Sequence, residues 1–135
     1  MISAEAKKIH SNAAPVEITA QHAGTGKVLA GPLKGSLFDL SKSGACLLLN
    51  EIMDHNYHLF YSTQEDSLRF LNIFLGHTAS PDEDFKIRAL PRWFNILQQG
   101  QLRNFILGVE FTQNIEGHSV RKLLNGIAEH HKRLL

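Results

Sequence analysis

SLFDLSKSGACLLLN, residues 36–50, is the stretch that decides how the rest of the chain reads. Two runs of β-forming residues bracket a polar corner of Lys42, Ser43 and Gly44. Such a corner favours reversal of the backbone, so the stretch predicts two strands joined by a tight turn. Downstream, residues 57–62 form another short strand-like run. Residues 68–75 (LRFLNIFL) are apolar at both parities, as expected of a strand covered on both faces. The run 86–94 (KIRALPRWF) is interrupted by Pro91, which lacks an N–H and so confines this strand to an edge, a bulge or a strand end. In residues 104–112, Phe105, Leu107, Val109 and Phe111 fall on one face, a clear period-2 strand. Upstream, Val16, Ile18 and Ala20 alternate with Glu17 and Thr19 as in a half-buried strand, and the glycine-rich residues 24–35 read as turns around short strands.

The period then changes. Val120, Leu123, Leu124, Ile127 and Leu134 recur at helical spacing, with Arg121, Lys122, Glu129 and Lys132 on the other side, an amphipathic helix. Six or seven strands followed by one helix imply a mainly β protein, a small antiparallel barrel with a C-terminal helix packed on it. Residues 1–14 are small and polar and read as a flexible segment ahead of a single domain over 15–135.

The composition fits that class. The chain has 135 residues, 43% hydrophobic and 20% charged, enough for one core. Lys and Arg number 14 against 13 Asp and Glu, a net charge of +1, so no broad basic field exists to hold nucleic acid and any anion must be gripped locally. The arginines are Arg69, Arg88, Arg92, Arg103, Arg121 and Arg133, all in the second half. A single cysteine, Cys46, excludes an intrachain disulfide framework and suits a reducing cytoplasm. No apolar run reaches the roughly 18 to 20 residues of a membrane helix, and no signal core follows Lys7 and Lys8, so the expectation is a cytoplasmic protein without a membrane span.

Most chemistry-bearing patterns fail on spacing. A phosphate loop would need glycine instead of Gln21 and Ser or Thr instead of Val28, and a dinucleotide fingerprint from Gly24 would need glycine instead of Leu29. His55, His58 and Asp54 cluster, but no second group is spaced to complete a zinc shell, and adjacent His130 and His131 diverge on a helix, so no metal is expected. Cys46, within ACLLLN, reads as a small buried hydrophobe, and Asp82, Glu83 and Asp84 as a solvated loop. Arg121, Lys122, Lys132 and Arg133 suit the polar face and C-terminus of the last helix. With no nucleophile signature and no cofactor motif, the chain reads as a non-enzyme.

One constellation carries more. Asp39, Ser41 and Gly44 spell DxSxxG between two apolar strands. It resembles the (D/N)xSxxG motif of PilZ domains, the bacterial modules that bind cyclic di-GMP. ACLLL after the motif, the run around Arg92, Trp93 and Phe94, and LGVEF at 107–111 are similar to further strands of that family, so that the resemblance covers residues 15–134. It implies a six-stranded antiparallel PilZ-type barrel. Asp39 and Ser41, two apart on a strand, project to one face, where a carboxylate and a hydroxyl can meet a guanine edge. The same side chains can instead cap the turn through backbone hydrogen bonds. Gly44 is expected to adopt a backbone conformation that a side chain would hinder, with positive φ.

The family's RxxxR element, which grips the phosphates upstream of the first strand, has no counterpart here; the region offers Lys7 and Lys8, with Lys34 farther on. Lysine meets phosphate as a point charge without the planar fork of arginine. Two lost charged hydrogen bonds, at about 1.5 to 3 kcal/mol each, weaken binding by roughly two to four orders of magnitude. Two readings follow. In the first, the chain is a cyclic di-GMP module in which Asp39 and Ser41 hold guanine, Gly44 shapes the loop and Lys7, Lys8 or Lys34 neutralise phosphate. In the second it is a nucleotide-independent adaptor in motility or pilus control, meeting a protein partner through an apolar patch near Trp93 and Phe94 or the final helix.

Overall fold

Strands long enough to pair on both sides close a sheet upon itself and leave no edge. In a computed structural model, which describes residues 15–41, 43–75 and 86–112, six strands do this. They are β1 (Pro15–His22), β2 (Val28–Leu40), β3 (Gly44–Leu49), β6 (Arg69–Leu75), β7 (Lys86–Gln99) and β8 (Leu102–Phe111). Their order round the barrel is β1-β2-β3-β8-β7-β6, every pairing antiparallel and β6 returning to β1. Between β3 and β6 lie two short paired strands, β4 (Met53–Asp54) and β5 (Tyr57–His58), and a single helical turn, α1 (Tyr61–Gln64). The core is the barrel interior. Ile18, Leu47, Leu49, Leu71 and Leu107 are fully buried there, and Ile52 and Leu59 join them from the β3–β6 excursion.

The strands foreseen at 36–50, 68–75 and 104–112 are present, and β6 is covered on both faces as its composition implied. Elsewhere tertiary pairing overrode local pattern. β1 is not half-buried: Glu17, at 6% exposure, and Thr19 are shielded on the opposite parity to Val16, Ile18 and Ala20. Residues 24–35 are not a set of turns around short strands. After one turn they enter the long strand β2, which bends at Gly31, where φ is +95°. A Cβ at Gly31 would stand 2.5 Å from the Ile18 carbonyl oxygen, so β1 presses on this backbone too closely for any side chain. Gly35 is squeezed likewise against Leu48 and Leu49.

The strand expected over 57–62 stops after two residues. Ser62 Oγ accepts the His58 N–H at 2.9 Å, and His58 Nδ1 accepts the N–H groups of Phe60 and Tyr61, each at 3.1 Å, so local side-chain acceptors turn the chain into α1. Asp54 is engaged as well, accepting the Gly31 N–H at 2.7 Å and lying 2.8 Å from His55 Nδ1. Among the described residues no group of three or more His, Cys, Asp or Glu is placed to hold a metal ion, and no helix is long and apolar enough to cross a membrane. The C-terminal amphipathic helix, the 1–14 segment and the acidic run at 82–84 lie outside the described residues.

Candidate functional site

The register of four strands assembles one row across the outer wall. Asp39 on β2 pairs with Cys46 on β3, Cys46 with Gly108 on β8, and Gly108 with Trp93 on β7. Their neighbours in sequence, Leu47 and Leu107, point into the core, so this row faces outward. A cleft of about 230 Å³ opens over it, lined by Asp39, Ser41, Gly44, Cys46, Arg92 and Trp93 among others.

At one end stands the DxSxxG turn. The Ser41 N–H donates to the Gly44 carbonyl oxygen at 2.9 Å, and the Ser41 hydroxyl lies 3.2 Å from both that oxygen and the Gly44 nitrogen, placed to donate to the first and accept from the second. The Phe111 N–H donates to the Ser43 carbonyl at 2.8 Å, tying the turn to β8. Asp39 Oδ1 accepts the Leu40 N–H at 2.9 Å, and Oδ2 has no partner among the described residues. Both side chains line the cleft, and both also brace the turn. Ser41 is saturated by that task, whereas the exposed Asp39 keeps an oxygen for a ligand.

Gly44 is needed for a different reason from the one expected. Its φ is not positive; among the described glycines the positive values belong to Gly26, Gly31 and Gly100. It begins β3 pressed against β8, where an added Cβ would overlap the Val109 carbonyl oxygen and stand 3.4 Å from the Glu110 Cα. Close approach of two strands, rather than a left-handed turn, excludes a side chain.

The opposite wall is the work of Pro91. The β7–β8 register passes from Pro91 opposite Val109 to Trp93 opposite Gly108, leaving Arg92 as the extra residue of a bulge. The bulge breaks alternation and puts Arg92 and Trp93 both on the outside. Trp93, 41% exposed, lies over Gly108, where a Cβ would overlap the indole. The strand thus presents a fixed aromatic ring beside the cleft. Arg92 Nε donates to Glu110 Oε1 at 2.7 Å and Nη2 donates to the same oxygen, an ion pair half open to solvent. Gly108→Ala should evict the indole. Trp93 is the sole tryptophan, so its emission should shift to the red with little change in far-UV dichroism. An unshifted spectrum would contradict this seating.

Of the other nominated residues, Lys34 is exposed on β2 opposite Glu17 and is not among those lining the cleft. Lys7 and Lys8 lie outside the described residues. Sequence reasoning missed Arg92 as the cation of the cleft, although Pro91 signalled the bulge that places it. Cys46 is only half-buried, not a core hydrophobe, because it sits on the outward parity of β3. Burial pushes its thiol above the usual cysteine range, with a further rise from the Asp39 charge. Thiol rather than thiolate therefore dominates near neutral pH, and alkylation of Cys46 by iodoacetamide should run slower than in a free peptide. Asp39→Ala should speed it, since removing the carboxylate lowers the thiol pKa; equal rates would place the two groups farther apart.

Fold and site together describe a small closed antiparallel barrel with a polar and aromatic cleft on its outer wall. No family model and no curated protein matches the chain. Two solved structures are similar to it. One is the PlzA protein of Borreliella burgdorferi in complex with c-di-GMP, with a TM-score of 0.49 and 10% identity over 97% of this chain and 49% of that one. The other is MrkH of K. pneumonia in its apo state, with a TM-score of 0.47 and 13% identity over 90% of this chain and 50% of that one. The chain spans about half the length of each.

Proposed function

We propose that the chain is a non-enzymatic regulatory module of PilZ type that takes cyclic di-GMP in the outer-wall cleft and acts in the cytoplasm. The observation that carries this reading is the convergence on one cleft of an Asp39 oxygen without a partner among the described residues, a braced DxSxxG turn and the seated Trp93 ring. Guanine offers two adjacent N–H donors on one edge, which a carboxylate can accept, and a flat face that an indole can cover. Arg92 offers one guanidinium where the family's pair is missing, so affinity falls below that of a receptor with both arginines.

Isothermal titration of the full chain with cyclic di-GMP tests the proposal. Saturable heat is expected below about 1 mM ligand, with quenching of Trp93 emission. Asp39→Ala should weaken binding a little over tenfold, the loss of about 1.5 kcal/mol of charged hydrogen bonding. Absence of heat up to that concentration, or the same heat from Asp39→Ala, would rule the reading out.

A second reading, the protein-interaction adaptor in motility or pilus control, is favoured by one observation. Beyond Ala89 on β7 and Phe105 on β8 the two strands pair only with each other, and there Ile96 is 53% and Leu102 67% exposed. An adaptor should lose its partner on Ile96→Asp while Asp39→Ala keeps it. The opposite pattern in a pull-down would return the function to the cleft.

A further inference from the structure

A second cleft, about 360 Å³, opens between the segment 63–69 and the bulged strand at 90–92, and Arg92 belongs to the walls of both clefts. We infer that this second cleft is a phosphate-binding subsite, with Arg69 and Arg92 as its cations and Ser67 as a neutral donor. The inference extends the proposed nucleotide site, seating a base on one side of Arg92 and a phosphoryl group on the other.

Arg69 carries the argument. Its Nη1 donates to the Ser62 carbonyl oxygen at 2.6 Å and lies 3.5 Å from Glu65 Oε1, and its guanidinium carbon sits 5.8 Å from the Tyr57 ring centroid. These contacts fix the group in place, yet Nε is shielded from solvent with no acceptor among the described residues. A shielded charged donor without an acceptor leaves the guanidinium short of hydrogen bonds, a cost that an oxyanion meeting the solvent-open part of the group would offset. The site is also reachable, since 27% of the Arg69 side chain stays open and Glu65 is mostly exposed.

The remaining walls are committed to structure. Gln64 Nε2 donates to the Pro91 carbonyl oxygen at 3.0 Å, bracing α1 against the bulge, and the Thr63 and Tyr57 hydroxyls lie 2.9 Å apart. The one carboxylate in the wall, Asp66, accepts the Leu68 N–H at 2.9 Å and faces His22 Nε2 at 3.1 Å, so its charge is directed into local partners. The Ser67 hydroxyl has no partner among the described residues and is exposed. Arg92 is paired with Glu110 and Arg69 with Glu65, yet each guanidinium keeps N–H donors beyond those contacts, and a phosphate oxyanion suits that set better than a neutral or cationic ligand.

The test is a titration of the full ¹⁵N-labelled chain with sodium pyrophosphate, read by amide and arginine Nε–H resonances. Saturable shifts are expected at residues 63–69 and 90–92 and at the Arg69 Nε–H, with residues 39–44 unmoved. Arg69→Lys should weaken this binding about tenfold, and Arg92→Gln, a change at an exposed side chain that leaves the barrel folded, should do likewise. No saturable shift at 63–69, or undiminished binding in both variants, overturns the subsite. Cyclic di-GMP forms the second arm. Shifts at both 39–44 and 63–69 support one ligand spanning both clefts. Pyrophosphate shifts at 63–69 with none from cyclic di-GMP uphold the phosphate subsite while overturning the nucleotide reading of the first cleft.

Discussion

Gly44→Ala should lower the free energy of unfolding by about 3 kcal/mol, the upper end for a residue forced into a packed site. The reason is local and specific. The new Cβ meets the Val109 carbonyl oxygen, a backbone atom of a neighbouring strand that cannot swing aside as a flexible side chain can. Relief requires β3 and β8 to part where the Ser43 carbonyl receives the Phe111 N–H, so the DxSxxG turn should loosen with the barrel. Urea denaturation followed by far-UV dichroism reads the loss, and cyclic di-GMP heat should fall with it. A variant as stable as the parent would mean that the two strands tolerate separation, and the close-approach account of Gly44 would fail.

Leu47→Ala should cost as much or more, about 3 to 5 kcal/mol. Leu47 is fully buried at the middle of β3, paired with Leu37 on one side and Leu107 on the other, and its side chain belongs to the barrel core. A barrel closed on all sides relaxes poorly into such a void, because every strand is pinned by two neighbours. Cys46→Ala, one residue away on the outward parity, provides the contrast and should cost several-fold less. Equal losses at the two positions would mean that the β3 register is offset by one residue, since a one-residue slip exchanges the faces of a strand.

The two glycine positions illustrate what local pattern can and cannot carry. At Gly31 and Gly44 the residue type was conspicuous, but its purpose was not. A glycine that serves a turn and a glycine that admits a neighbouring strand look alike in one dimension. Gly31 combines a positive φ with a close approach by β1, whereas Gly44 has only the close approach of β8. Similarly, residues 57–62 had the composition of a strand, and His58 and Ser62 diverted it by offering acceptors that compete with a ladder. Glu17 and Thr19 had polar identities that implied solvent and are buried nonetheless.

What the residues determined by themselves was the run of strands. The apolar alternation of 104–112, the double-sided apolarity of 68–75, the polar corner between 40 and 45 and the break at Pro91 are all short-range facts, written in side-chain period and backbone chemistry. The DxSxxG turn was legible for the same reason, since the hydrogen bonds between Ser41 and Gly44 span only three residues. The makeup of the cleft was decided only by tertiary structure. Asp39, Cys46, Gly108 and Trp93 are far apart in the chain and meet because β2, β3, β8 and β7 pair in one particular register. Arg92 reaches both clefts because a single extra residue after Pro91 turns two successive side chains outward. Register between strands distant in sequence is set by the closure of the whole barrel, and no local period records it.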